Sequence, residues 1–132
     1  MNVLAIDQGT SATKALLVGP GREVLGRGEV PVRTRSVAGG GVEADPEELF
    51  GSVVAAGATA LAAARAPAHA VALANQGETV LAWDRATGKP LTPAIVWQDR
   101  RPLWCASDSR TGPTSCRPSP ACRSTRISRR RR

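Results

Sequence analysis

The sequence has few aromatic residues and few of the side chains that build metal sites and disulfide frameworks. Its 132 residues include no tyrosine, one phenylalanine, one histidine and three cysteines. The spacing of Cys105, Cys116 and Cys122 matches neither a paired Cys-x-x-Cys zinc site nor an even disulfide framework. The single histidine, His69, precedes a predicted strand, and we expect it to cap or pack there rather than to take part in catalysis. These absences exclude a domain organised by zinc or by disulfides.

Residues 1–101 also lack an excess of either charge. They carry ten basic and ten acidic side chains, whereas in residues 102–132 eight arginines face only Asp108, which accounts for the whole net charge of +7. A nucleic-acid-binding domain would show a basic stripe, and residues 1–101 show none. The chain starts without a basic leader segment and has no apolar run that we expect to span a bilayer. We therefore predict a cytoplasmic protein without a membrane partner. A length of 132 residues allows one domain with a small hydrophobic core.

The opening of the chain carries most of the functional information, as a strand, a turn and a returning strand. The first apolar run delivers a carboxylate, Asp7, to a turn that contains Gly9. A carboxylate at this tip suits Mg²⁺ or its waters, and the missing Cβ lets backbone N–H groups approach a phosphate. The pattern is not a P-loop, because no Gly-x-x-x-x-Gly-Lys-Ser/Thr run is present and the element after the turn reads as strand.

The turn continues with side chains that suit a phosphate. Thr10 and Ser11 follow the glycine, and Thr13 and Lys14 come next. Asp and Gly alone are equally typical of an ordinary hairpin turn. Three hydroxyls and a cation in close succession favour a phosphate site instead, and we predict that they cluster where the phosphate lies.

Apolar periodicity predicts a mixed-sheet α/β domain rather than a dinucleotide-binding unit. Strands are predicted over 3–7, 13–18 and 24–32 as an antiparallel meander, over 71–74 as a buried strand, and over 79–83 and 94–97, with a loop at 39–41. Polar groups follow three of these strands, at Asp7, at 75–78 and at 98–99. Because ligands of open α/β sheets bind beyond the carboxyl ends of strands, these three places form the candidate site.

One helix is predicted with a clear beginning. Asp45 stands at the N-cap, Pro46 at the first helical position, and Glu48 where it would complete a capping box. The helix continues over 49–66 and stops before a proline. Its predicted apolar face consists of Leu49, Phe50, Val53, Val54, Ala60 and Leu61.

Five stretches of residues 1–101 resemble, in order and spacing, the N-terminal part of the FGGY family of carbohydrate kinases, and among them most closely the glycerol kinases. They are IDQGTS at 6–11, VEADPEE at 42–48, NQGET at 75–79, WDR and TGKP between 83 and 90, and AIVWQDRR at 94–101. The resemblance implies the actin-like ATPase fold on a ribonuclease H-like core, truncated here. It implies ATP and Mg²⁺ as cofactors, and transfer of the γ-phosphoryl group to a polyol or sugar hydroxyl.

The resemblance also assigns roles to residues. Thr10 and Ser11 match phosphate-contacting hydroxyls, and Asp7 matches the acid near Mg²⁺. Glu78 matches a carboxylate that accepts hydrogen bonds from substrate hydroxyls, and Trp97 an aromatic wall against the substrate carbons. The implied cofactor-binding set is Asp7, Gly9, Thr10, Ser11 and Lys14, and the implied substrate-binding set is Gln76, Glu78 and Trp97.

The chain departs from the family pattern in two ways. Glycerol kinases usually carry Asn-Gln-Arg-Glu-Thr where this chain has Gly77, so a substrate other than glycerol is open. The family's general base and adenine pocket lie beyond residue 101, and nothing here matches them. We therefore expect that this chain contains no catalytic base and does not turn over substrate alone. We expect a homo-oligomer only for a full-length protein.

Residues 102–132 have a different character. Their Pro, Ser, Cys and Arg content and the lost apolar periodicity predict a disordered basic tail, separate from the partial kinase domain at 1–101. Back-translation with GC-rich codons in a shifted frame can produce a charge-patterned string that resembles the continuation of FGGY kinases. We therefore hypothesise that the tail is a frameshift product.

Two alternative functions remain at this point. One is another FGGY sugar kinase such as a xylulose kinase, although the 76–78 segment differs from the substrate loops of those enzymes. The other is a non-enzymatic basic protein whose arginine-rich tail binds nucleic acid with strong salt dependence. The neutral segment 1–101 and the scarcity of aromatic residues in the tail argue against nucleic acid.

Overall fold

The first three strands form the antiparallel meander predicted from the sequence. They are β1 (Val3–Gln8), β2 (Ala12–Val18) and β3 (Val24–Pro31), in a computed structural model that describes residues 1–101. A later strand, β6 (Ala70–Asn75), pairs with β1 in parallel, which gives the order β3-β2-β1-β6. The predicted mixed sheet is thereby confirmed. The predicted tail and its frameshift origin lie outside the described residues.

A second, three-stranded sheet was not predicted in full. β4 (Thr34–Val37) and β5 (Gly41–Ala44) flank a short 3-10 turn, Ala38–Gly40, and β7 (Ala94–Ile95) pairs with β5. The loop predicted at 39–41 is therefore wrong in part, because residue 41 already belongs to a strand. The strand predicted over 79–83 is also wrong: that segment contributes only isolated bridges, of Val80 with Ile95 and of Trp83 with Pro90.

The helix α1 (Pro46–Ala64) begins as the sequence indicates. The Asp45 carboxylate accepts the N–H of Glu47 at 2.9 Å, and Pro46 occupies the first turn. The predicted capping box does not form, because the Glu48 carboxylate accepts the backbone N–H of Arg33 at 3.2 Å instead. The helix ends at Ala64, two residues before the predicted end. The next residue, Arg65, caps it with a left-handed backbone (φ 49°) and donates its N–H to the Leu61 carbonyl.

Small residues bring α1 close to the sheet. The buried positions of the helix are Ser52, Ala56, Gly57 and Ala60. On β3 the facing residues are Gly26 and Gly28, where an added Cβ would overlap the carbonyl oxygens of Ala60 and Ala56. Leu4 and Ile6 of β1 and Ala15 and Leu17 of β2 complete this core.

Two predictions of burial are wrong. Phe50 and Val54, assigned to the apolar face of the helix, are 68% and 57% exposed. The strand predicted as buried, β6, is exposed as well, with Val71 at 66% and Leu73 at 65%. The common reason is the position of α1, which packs against β1, β2 and β3 and leaves β6 uncovered in the part of the chain that the structure describes.

The expectation that no apolar run could span a bilayer also needs correction. By length and composition alone α1 passes that test, with 19 residues and a mean hydropathy of 1.2. Helices that pack on the sheets of soluble domains pass the same test, so the finding is weak evidence for a membrane span.

Candidate functional site

The turn between β1 and β2 presents two backbone donors. The N–H of Gly9 closes the turn on the Ala12 carbonyl at 3.0 Å. An added Cβ at Gly9 would stand 2.9 Å from that same oxygen, so a glycine suits this tight turn. The N–H groups of Thr10 and Ser11 have no hydrogen-bond acceptor within residues 1–101. Two adjacent unpaired N–H groups at a turn are a feature of anion-binding sites.

Three residues that follow different strands meet at this turn. The indole Nε1–H of Trp97 donates to Thr10 Oγ1 at 3.0 Å, and the Thr10 hydroxyl donates to Gln76 Oε1 at 2.6 Å. These residues follow β7, β1 and β6, so the structure brings together three of the residues predicted for the site. We call this set of hydrogen bonds the Thr10 relay.

The Gln76 side chain keeps one donor unused. Its Oε1 accepts from Thr10, while its Nε2 is buried and has no hydrogen-bond partner within residues 1–101. The backbone N–H of Gln76 donates to the Gln8 carbonyl at 2.9 Å, which ties the loop to the end of β1. A buried amide donor without an acceptor is uncommon in folded proteins. It therefore fits an oxygen atom of a ligand.

Glu78 lies close by in sequence but outside the relay. Its side chain is exposed, it makes no hydrogen bond with Thr10, Gln76 or Trp97, and its backbone is left-handed, with φ at 55°. Such a conformation costs a non-glycine residue about 1–3 kcal/mol and is often retained at functional sites. Beside it, an added Cβ at Gly77 would meet nothing within 4 Å.

Asp7 and Lys14 are neighbours on the face of the sheet opposite α1. They are paired in register across β1 and β2, and both line a cavity of about 400 Å³ floored by β1, β2 and β6. Lys14 Nζ lies 4.0 Å from Glu29 Oε1, and both side chains are more than 60% exposed. An exposed pair at that distance contributes little stability. Lys14 is therefore able to turn toward an anion.

Thr13 does not belong to this cluster, contrary to the prediction of three clustered hydroxyls. Its side chain is fully buried, and its Oγ1 lies 2.6 Å from the buried Ser52 Oγ. Ser52 donates its only proton to the Leu49 carbonyl at 2.7 Å, so Thr13 must be the donor of the shared bond. The hydroxyl of Thr13 therefore fastens β2 to α1.

Other polar groups near the site have structural roles. Asp99 Oδ2 accepts the Val42 N–H at 3.0 Å and holds β5. His69 Nδ1 accepts the Asn2 N–H at 3.1 Å, which ties the start of the chain to the start of β6 and fits the predicted capping role. A cavity of about 450 Å³ beside the start of α1 includes Arg33 and Glu48 but none of the predicted site residues.

The described residues fit Mg²⁺ only together with a phosphate chain. No group of three or more His, Cys, Asp or Glu side chains that could hold a metal occurs within residues 1–101. Protein sites often bind Mg²⁺ through one or two carboxylates, with phosphate oxygens and waters completing the octahedron. Asp7 supplies such a carboxylate on the Lys14 side of the β1–β2 turn.

Comparisons with known proteins identify relatives. The N-terminal domain model of the FGGY family of carbohydrate kinases matches residues 2–110. Glycerol kinase of Chelativorans sp. (strain BNC1) is 44% identical over 115 residues, which cover 83% of this chain and 23% of the relative. Glycerol kinase of Rhizobium rhizogenes is 47% identical over 102 residues, which cover 75% of this chain and 20% of the relative. The chain thus spans between a fifth and a quarter of the length of these relatives.

Solved structures of sugar kinases share the fold. Gluconate kinase from Lactobacillus acidophilus superposes with a TM-score of 0.74 at 19% identity, covering 83% of this chain and 22% of that one. Plasmodium falciparum glycerol kinase with ADP superposes with a TM-score of 0.67 at 29% identity, covering 83% and 23%. The mixed sheet with its flanking helix is accordingly the N-terminal portion of the actin-like ATPase fold of these kinases.

Proposed function

The chain belongs to the FGGY family of carbohydrate kinases, and from that premise we propose that residues 1–101 supply phosphate- and substrate-binding groups for the ATP-dependent phosphorylation of a polyol or sugar hydroxyl. One observation carries the proposal: the Thr10 hydroxyl joins the turn predicted to bind phosphate to Gln76 and Trp97, predicted to bind substrate. Phosphoryl transfer depends mainly on alignment and charge stabilisation. A direct hydrogen-bonded link between the two sides of a site would serve alignment.

On the phosphate side, the backbone N–H groups of Thr10 and Ser11 would hold phosphate oxygens, together with the exposed Ser11 hydroxyl. Lys14, free to leave its weak pair with Glu29, would neutralise phosphate charge. Asp7 would bind Mg²⁺ or one of its waters. When bound, Mg-ATP supplies the phosphoryl group, and this chain positions it.

On the substrate side, the Glu78 carboxylate would accept hydrogen bonds from hydroxyls. The Trp97 indole, 54% exposed with its N–H already engaged, would offer its ring to the carbon skeleton. Gln76 Nε2 would donate to a substrate oxygen. A carboxylate, an amide donor and an apolar plate together suit a polyhydroxylated ligand.

The identity of the substrate depends on Gly77. A side chain can begin there without steric conflict, because an added Cβ meets nothing within 4 Å in residues 1–101. We propose that the missing side chain directs the site away from glycerol and toward another polyol or a sugar. Xylulose serves as the probe for the sugar alternative, against which the difference between the 76–78 segment and the substrate loops of xylulose kinases argues.

The test is a chimera in which residues 1–101 replace the matching segment of the Rhizobium rhizogenes glycerol kinase. It should phosphorylate a polyol or xylulose, and Gly77→Arg should raise kcat/KM for glycerol by about 10- to 100-fold, the value of a hydrogen bond to a charged group. Gly51→Arg, which adds the same charge at an open position of α1, is the control and should not change it. A folded chimera that phosphorylates none of these compounds would contradict the proposal.

We further propose that the 132-residue chain alone does not turn over, in keeping with its small share of the relatives' length. ADP release that requires Mg-ATP and a polyol, measured on the purified chain, would contradict this. The cytoplasmic location and the frameshift origin of residues 102–132 remain proposals too. Resequencing from codon 95 onward tests the frameshift, because an intact reading frame for the tail that a near relative shares would exclude it.

A further inference from the structure

We infer that Asp99 is a positioning residue: its carboxylate ends the pairing of β7 with β5 and thereby turns Trp97 out of the sheet, where the ring can meet a ligand. Residues 98–99 are polar groups that directly follow a predicted strand, and the proposed function gives them no role. The inference rests on the proposed function only in treating Trp97 as substrate-binding. The contacts of Asp99 themselves are properties of the chain without ligand.

The antiparallel pairing of β5 with β7 determines which partner the Val42 N–H should have. The pairing runs as far as Glu43 opposite Ile95. Ile95 exchanges both of its backbone hydrogen bonds with Val80 on its other side, at 2.8 and 2.9 Å. The backbone groups of the next residue, Val96, therefore point toward β5, where they face Val42. Two residues that face each other in this way normally exchange two hydrogen bonds.

Only one of these two hydrogen bonds forms in the part of the chain that the structure describes. The Val96 N–H donates to the Val42 carbonyl at 3.3 Å. The Val96 carbonyl instead accepts the Asp99 N–H at 2.9 Å, which closes a turn with Trp97 and Gln98 at its two corners. The Val42 N–H donates to Asp99 Oδ2 at 3.0 Å. The carboxylate thus replaces a backbone carbonyl as the acceptor, and β7 ends there.

The turn closed by Asp99 determines where the Trp97 ring lies. Val96 is buried in the core of the second sheet, whereas Trp97, at the first corner of the turn, is 54% exposed and its indole N–H reaches Thr10. A Val96 carbonyl bonded to Val42 would point along the sheet, the turn would open, and Trp97 would continue the strand. An ionised carboxylate is a stronger acceptor than a backbone carbonyl, so Asp99 favours the turn.

The wild-type chain of 132 residues allows a first test without any substitution. In a ¹³C,¹⁵N-labelled sample, NMR couplings across hydrogen bonds identify the carbon atom whose oxygen accepts a given N–H. The Val42 amide should show such a coupling to the side-chain carboxyl carbon of Asp99. A coupling to the backbone carbonyl carbon of Val96, or to neither carbon, would overturn the inference.

Variants then test whether this bond positions Trp97. Asp99→Ala removes the acceptor and Asp99→Glu displaces it, so both should shift the Trp97 indole signal, which is assigned with Trp97→Phe. Asp99→Asn keeps an oxygen at the same place and should retain the wild-type signal. Asp99→Glu decides the question if Asp99→Ala does not fold. A shift in Asp99→Asn as large as that in Asp99→Glu would overturn the inference, because the charge alone would then matter.

Asp84 offers a matched control. Its carboxylate also accepts backbone N–H groups in a loop, those of Ala86 and Thr87, at 3.0 and 2.7 Å. Asp84→Ala should therefore perturb its own loop and leave the Trp97 indole signal unchanged. A shift of that signal as large as in Asp99→Ala would show that it reports any loss of a loop carboxylate, and would overturn the inference.

Kinetics of the chimera separate positioning from a general loss of structure. Asp99→Ala should raise KM for the polyol or sugar by about tenfold and leave KM for ATP within about twofold, and Asp99→Asn should restore most of the difference. In a Trp97→Ala background Asp99→Ala should add little, because Asp99 acts through Trp97. Equal effects in both backgrounds, or equal rises in both KM values, would overturn the inference. If the NMR results hold and the chimera is inactive, Asp99 still positions Trp97 and the proposed function fails.

Discussion

Removal of the buried Thr13 hydroxyl is expected to reduce the stability of the domain. Thr13 is fully buried and Ser52 is 3% exposed, with 2.6 Å between their oxygens. Thr13 donates to Ser52, and Ser52 donates to the Leu49 carbonyl. Removal of the Thr13 hydroxyl therefore leaves no unpaired donor, whereas removal of the Ser52 hydroxyl leaves the Thr13 hydroxyl without an acceptor.

The magnitudes follow from this asymmetry. Thr13→Val removes one hydrogen bond and leaves no donor stranded, because Ser52 keeps its bond to Leu49, so it should cost about 1 kcal/mol. Ser52→Ala leaves the Thr13 hydroxyl buried without an acceptor, which costs about 1–3 kcal/mol for the stranded group in addition to the lost bonds. In the double variant no hydroxyl is stranded. Its cost should be smaller than the sum of the single variants by about 0.5–3 kcal/mol.

The assay is urea unfolding of the four proteins, followed by far-UV circular dichroism. Comparable m-values across the set would indicate that the variants act on the native state. Additive free energies of unfolding, or a Thr13→Val cost that exceeds that of Ser52→Ala, would refute the assignment of donor and acceptor and with it the structural role of Thr13.

Two further perturbations test the packing of α1 and the loop at Asp84. Gly28→Ala should destabilise the domain by about 1–3 kcal/mol, because the new Cβ meets the Ala56 carbonyl. Gly51→Ala lies in open space on α1 and should stabilise the domain by about 1 kcal/mol. Thermal melts in which Gly28→Ala is the more stable of the two variants would contradict this description of how α1 packs. The pKa of Asp84 lies below its usual range because the Thr87 backbone N–H, then the Thr87 hydroxyl and the Ala86 N–H, donate to the carboxylate. The ionised Asp84 carboxylate therefore stabilises the folded loop at pH values above the usual pKa of an aspartate, and this stabilisation is lost as the pH falls through the lowered pKa of Asp84. An NMR titration should show a higher Asp84 pKa in Thr87→Val than in the wild type. An unchanged pKa would exclude the Thr87 hydroxyl as a cause.

Local patterns predicted the elements whose partners are close in sequence. The β1–β2 hairpin and the start of α1 follow from alternation, from the turn residues and from the Asp45–Pro46 pair. β4 and β5 were missed because each has four residues, with few apolar side chains, and because the second neighbour of β5 in the sheet is β7, far along the chain. The exposure of β6 was missed for a related reason: an apolar run reveals that a strand exists, and the position of α1 decides whether it is covered.

The treatment of the three hydroxyls shows where the prediction of the site could have been sharper. In β2 the side chains alternate between two faces, so Thr13 shares the face of Ala15 and Leu17, all fully buried, while Lys14 points to the opposite face. This period of two was present in the sequence and already argued against a phosphate role for Thr13. Thr10 is a different case, because its partner Trp97 is 87 residues away and no periodicity relates them. A sequence can thus indicate which face a residue occupies within a strand, whereas the pairing of side chains at the ends of separate strands depends on the order of the strands in the sheet.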